Sequence, residues 1–103
     1  MPPTEAQLHD DLVREGLRPT RWANDPKFAY GAHDHPYGKV LVVVSGSITF
    51  TIGGERVVHM RSGDRLTVPP RTPHSALVGS EGVVCLEAHV DAAAWPQPPA
   101  SRR

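Results

Sequence analysis

Ser47-Ile48-Thr49-Phe50-Thr51-Ile52-Gly53-Gly54-Glu55-Arg56-Val57-Val58-His59-Met60 is the stretch on which the fold turns. From Ser47 to Ile52 polar and apolar side chains alternate, so Ile48, Phe50 and Ile52 share one face of an extended strand. Gly53-Gly54 follows at once and signals a two-residue hairpin, because glycine enters the left-handed backbone that such turns need. Glu55 to Met60 then reads as the returning strand.

The same grammar continues in both directions. Upstream, Thr20 to Trp22, Phe28 to His33 and the β-branched run Lys39 to Val44 read as strands, with Asn24-Asp25-Pro26 as a turn. Downstream, Arg65 to Val68, Ser75 to Val78 and Val83 to Val90 follow, separated by Ser62-Gly63, Pro69-Pro70 and Gly79-Ser80. Many short strands at regular spacing predict a sandwich or closed barrel. Before them, Thr4-Glu5-Ala6-Gln7 has the form of a capping box, and Leu8, Leu12 and Val13 lie on one helical stripe that Gly16 ends. A short amphipathic helix is expected over Glu5 to Glu15. Ala92 to Trp95 reads as a brief helical turn, and Pro96-Gln97-Pro98-Pro99 as an extended tail. The expected organisation is a helical segment over 1–16, a barrel over 17–92 and a Pro-rich tail over 93–103.

A length of 103 residues suits one domain with a modest core. Eleven basic and eleven acidic side chains cancel, so no net field draws the chain to nucleic acid or to an anionic membrane. Val40 to Val44, the longest aliphatic run, is far short of the ~20 residues of a membrane span. The N-terminus has neither a cationic start nor an apolar core, so a signal peptide is not expected. A single cysteine, Cys85, allows no intrachain disulfide and fits a reducing cytoplasm. Both faces of Lys39 to Val44 are apolar. One fills the core, and the other needs cover from the N-terminal helix or from a second subunit, which makes a homodimer the expected state.

The chemistry lies in the histidines. His33-x-His35 on a strand puts two imidazoles on one face, about 7 Å apart along it. His74 follows the stiff turn Pro69-Pro70-Arg71-Thr72-Pro73, which is suited to deliver a third imidazole from elsewhere. Three neutral imidazoles suit a divalent ion (Zn, Fe, Ni, Cu or Mn) and leave coordination positions open.

With these spacings the sequence resembles the cupin family. That family's first motif is Gly-x5-His-x-His-x3-Glu-x6-Gly, and here His33, His35 and Gly46 match while Lys39 stands in the Glu position and Lys27 in that of the opening Gly. The second motif is Gly-x5-Pro-x-Gly-x2-His-x3-Asn. Gly63, Pro69 and His74 match it, whereas Arg71 and Val78 replace Gly and Asn. The resemblance implies an all-β, single-domain cupin β-barrel of the double-stranded β-helix or jelly-roll type. It further implies a metal at the barrel mouth held by His33, His35 and His74.

A protonated lysine is no ligand and is repelled by a nearby cation. Lys39 therefore swings to the rim, pairs with a carboxylate or an anionic substrate, or loses its proton on burial and acts as a base. Cys85, Glu87 and His89 share one face of the last strand. If that face lines the barrel, Glu87 becomes Lys39's partner or a further ligand. If not, the face is simply wet, which is the commoner case for such strands. Lys39 and Glu87 are the candidate catalytic residues. Cys85 reads as a small buried apolar residue, and Trp22, Tyr30 and Phe50 as packing.

The expected function is a small metalloenzyme acting on a small molecule. Three-histidine iron sites on this scaffold resemble thiol and diketone dioxygenases, and Zn or Mn forms resemble isomerases and decarboxylases. The alternative is a non-catalytic module that binds a small anion or sugar.

Overall fold

The structure, a computed structural model, describes residues 2–96. Its elements in chain order are α1 (Glu5–Arg14), β1 (Thr20–Asn24), β2 (Ala29–His33), β3 (Gly38–Ile52), β4 (Arg56–Arg61), β5 (Arg65–Val68) and β6 (His74–Val90), with a short 3₁₀ turn at Ala92–Ala94. The part of the tail expected beyond Pro96 lies outside the described residues.

The helix is set by local chemistry. The Thr4 hydroxyl accepts from the Gln7 N–H at 3.2 Å, and the Gln7 side-chain carbonyl accepts from the Thr4 N–H at 2.9 Å. Both ends of the capping box are therefore closed. At the far end Gly16 takes φ +85°, which lets Leu17 N–H return to the Leu12 carbonyl at 3.1 Å and Gly16 N–H to that of Val13 at 2.9 Å. This Schellman arrangement satisfies carbonyls that the last turn would leave open.

Two long strands organise the sheet. The sequence reads Lys39 to Val44 and Ser47 to Ile52 as separate strands, but they are one, β3, and Ser75 to Val78 and Val83 to Val90 likewise merge into β6. β3 and β6 pair antiparallel from Gly38↔Val90 to Ile52↔His74. The register shifts between Val43 and Ser45 and again between Gly46 and Ile48, where β6 spends residues 79–82 opposite Ser47. Bulges of this kind bend a ribbon, so the ladder folds over on itself. One half is flanked by β1 and β5, the other by β2 and β4. The hydrogen-bonded path stays open at β1 and β4, so the barrel is two facing half-sheets joined by the bent ladder. The Gly53-Gly54 hairpin has a three-residue loop, since Ile52 pairs with Arg56. Both glycines do take positive φ, +64° and +81°.

Alternation then sorts the side chains. Leu41, Val43, Ile48, Phe50, Met60, Val78 and Cys85 point between the halves and form the inner core. Val40, Val42, Leu86, Ala88 and Val90 point outward and are buried beneath Leu8, Leu12 and Leu17. The outer face of β3 is thus covered by the chain's own helix. Leu12 is completely buried there, a contribution of about 1.5–3 kcal/mol. Arg65 ties the helix end to β5 through two bonds to the Glu15 carboxylate, each 2.6 Å. Among the described residues no helix is long and apolar enough to cross a membrane.

The fold-over depends on Gly46. Its φ is +76°, and a Cβ there would stand 2.0 Å from the Gly82 carbonyl oxygen and 3.0 Å from the Val83 Cα. Both obstacles are backbone and cannot swing away. Gly46→Ala is expected to cost about 3 kcal/mol or more, read as a lowered urea midpoint. A midpoint within error of the parent would show that the two strands do not cross this closely.

Candidate metal centre

Folding the β3–β6 ladder over brings its two ends face to face. At one end, β2 pairs with β6 so that His33 lies opposite His74, with Ile52 of β3 on the other side of His74. The sequence reading puts His35 on the same strand as His33; instead, β2 ends at His33 and His35 lies in the following loop. Pro36 explains the break: it has no N–H to continue a ladder. The loop is anchored by Arg71, whose N–H donates to the His35 carbonyl at 2.6 Å. The result is a tighter cluster than a strand would give. Ring centroids are 4.9 Å apart for His33–His35, 4.4 Å for His33–His74 and 5.5 Å for His35–His74. One donor nitrogen from each residue lies within 4.8 Å of the other two.

The rings are oriented as ligands. His33 Nδ1 is 2.7 Å from the Gly31 carbonyl and His74 Nδ1 is 2.9 Å from the Thr72 carbonyl. A carbonyl can only accept, so each Nδ1 carries the proton and each Nε2 presents a lone pair. His35 Nε2 is buried and has no hydrogen-bond partner among the described residues. Leaving a buried polar atom unpaired costs about 1–3 kcal/mol, and a cation between the three rings removes that cost. The residues present therefore fit a divalent ion. His74 itself is 4 % exposed.

The other end of the ladder supplies Lys39 and Glu87. The face of β6 read as simply wet lines the interior instead, because the bend turns it toward the opposite half-sheet. Lys39 Nζ lies 3.4 Å from Glu87 Oε1, with the two side chains only 13 % and 14 % exposed. Of the outcomes open to Lys39, pairing with a carboxylate is the one observed. Glu87 is not in the imidazole cluster. It also accepts from Trp22 Nε1 at 3.1 Å on Oε1, and its Oε2 lies 2.7 Å from His89 Nε2. Burial pushes the Glu87 carboxyl up, but the His89 bond and the Lys39 charge outweigh it and hold the group below its ordinary value. His89 is half exposed at the mouth and stacks on Tyr37 at 4.0 Å, and Tyr37 stacks in turn on His35 at 4.9 Å.

Between the two ends is a cavity of about 170 Å³ bordered by His33, His74, Lys39 and Glu87, with Trp22, Tyr30 and Phe50 among its apolar walls. The aromatic residues read as packing thus have a second part to play: Trp22 holds Glu87, and it does so from β1, opposite Cys85. No local pattern announces that pairing. Cys85 is fully buried, and its thiol is pushed up to about 12 by burial first and Glu87 second. It behaves as a core residue.

Burial lowers the pKa of His74 against the pull of the Thr72 carbonyl, and burial followed by the Lys39 charge lowers that of His35. Below the ordinary value of 6.5 the unfolded chain takes up protons that the folded chain refuses. Stability present above pH 6.5 is therefore lost as the pH falls through the folded values. The depressed Glu87 value adds loss of the same sign below its ordinary 4.5. Chelator-treated protein is expected to show a lower urea midpoint at pH 5.5 than at pH 7.5. A higher midpoint at pH 5.5 would mean that the rings fold in their charged form.

Comparison with known proteins agrees with this architecture. A family model described as a cupin domain matches residues 22–89. A conserved Streptococcus pyogenes protein of unknown function superposes with a TM-score of 0.64 at 25 % identity, over 73 % of this chain and 64 % of that one. An RmlC-like cupin from Shewanella frigidimarina gives 0.65 at 24 % identity, over 74 % and 67 %. A Bacillus subtilis oxalate decarboxylase gives 0.67 at 23 % identity, over 75 % of this chain but 22 % of that one. The chain thus spans less than two thirds of the first of these structures. No curated protein matches it. Two non-glycine residues take positive φ among the described residues, Lys27 at +64° and Arg71 at +57°.

Proposed function

The chain belongs to the cupin family, and on that premise we propose that it is a small metalloenzyme acting on a small molecule, with His33, His35 and His74 as the ligands of one divalent ion. Zn, Fe, Mn and Ni all suit three imidazoles. The observation that carries the reading is the buried, unpartnered His35 Nε2 facing two rings whose own donors are fixed by backbone carbonyls. When bound, such an ion polarises a carbonyl or lowers the pKa of a water. The chain's own part is to hold and shield the substrate. The apolar wall excludes water, and Lys39 and Glu87 are the cavity groups suited to holding charge or moving a proton.

The second reading is a non-catalytic module that captures a small anion or sugar. It is favoured by Lys39, which stands where the family pattern has a carboxylate ligand. Ligand-dependent thermal stabilisation without turnover would favour it over the first. Under either reading the partners are small molecules rather than nucleic acid or membrane, and a reducing cytoplasm suits the lone thiol.

Protein purified without chelators is expected to carry about one equivalent of metal, and His74→Ala to lose it. Elemental analysis decides: full occupancy in the variant would remove His74 from the ligand set.

The helix covers the outer face of one half-sheet, which leaves the other half as the surface for a second copy. Val57 and Leu77 are 55 % and 54 % exposed on that half. A homodimer is expected in sedimentation at micromolar concentration, and a lone monomer there would contradict it.

A further inference from the structure

Charge in the cavity is unbalanced once the site is filled. Lys39 and Glu87 cancel, and an imidazole that donates a ring lone pair to an ion does so as the neutral form. Among the described residues the cluster that could hold an ion consists of three imidazoles and includes no carboxylate to offset two positive charges. Such a site attracts an anion.

Lys39 is also the releasable member of its network. Its contact with Glu87, at 3.4 Å, is longer than the 2.7–2.9 Å or so typical of charged pairs. Glu87 would not be stranded by its departure, because Trp22 Nε1 at 3.1 Å and His89 Nε2 at 2.7 Å remain. Among the described residues Glu87 is the only partner of the Lys39 ammonium, which leaves two of its three N–H donors for a ligand. The rest of the wall is apolar: Trp22, Tyr30, Leu41, Phe50 and Ala76. A cavity of about 170 Å³ takes a body about the size of benzene.

We propose that the ligand of this cavity is a small monocarboxylate with an apolar body, and that Lys39 is the residue that selects its carboxylate. One carboxylate oxygen accepts from Lys39 Nζ, the other faces the three imidazoles, and the apolar body lies against Trp22 and Phe50. The second of these contacts rests on the metal reading given above. The first does not.

Benzoate and its neutral isostere benzamide are suitable probes, titrated by calorimetry into the protein as purified, with metal content measured on each sample. Benzoate is expected to bind at least tenfold more tightly than benzamide. Lys39→Met should weaken benzoate at least tenfold and leave benzamide unchanged. Glu87→Gln, which removes the competing carboxylate, should tighten benzoate several-fold. Equal affinity for the two probes in the parent protein overturns the proposal without any variant having to fold. Benzoate binding that survives Lys39→Met, or weakens in Glu87→Gln, does so as well. Full metal without a benzoate preference rejects the carboxylate and leaves the metal reading standing. A Lys39-dependent preference in metal-free protein upholds Lys39 and rejects the metal reading.

Discussion

The pairing of β3 with β6 along their whole length, and its bend at Ser45–Ser47, is the constraint from which the rest follows. A straight ribbon would hold His74 and Glu87 far apart at opposite ends. Bent, it places the imidazole end over the Lys39–Glu87 end and leaves a cavity between them. The bend is possible because Gly46 lets two backbones approach more closely than any side chain allows. The same alternation that buries Leu41, Val43 and Phe50 inside turns Val40, Val42 and Leu86 outward, where the helix covers them. Core, cover and site are thus three consequences of one ladder.

The site has two halves of different character. The imidazole half is a set of lone pairs held ready: two rings are fixed by carbonyls, and the third ends in a buried nitrogen with no hydrogen-bond partner among the described residues. In the other half it is the Glu87 carboxylate that is already satisfied: it has three donors, of which Lys39 is the most distant. Under the proposed reading, a site divided in this way would fix a cation at one end and discriminate among anions at the other.

What could be read in the sequence follows from range. The capping box, the Gly16 stop, the hairpin at Gly53-Gly54 and the His-x-His spacing are local, and a few residues contain all the physics they need. The motif spacings carried the barrel and the three histidines further, since spacing records architecture. The inward turn of Glu87 was not legible, because it is decided by a bend opposite Ser47, forty residues earlier in the chain. Gly79-Ser80 looked like the end of a strand for the same reason: only the register with β3 shows that β6 runs through it. His35 left its strand because Pro36 forbids the next hydrogen bond, a signal that was present but outweighed by the alternation. The cover over β3 was open between helix and second subunit, and only packing could choose.

X-ray absorption at the metal edge of the loaded protein tests the central claim most directly. The account predicts a first shell containing three imidazole nitrogens, with the outer-ring scattering of histidine, at about 2.0–2.1 Å if the ion is zinc. A shell built from carboxylate oxygens or from the Cys85 sulfur, with fewer than three imidazoles, would contradict it.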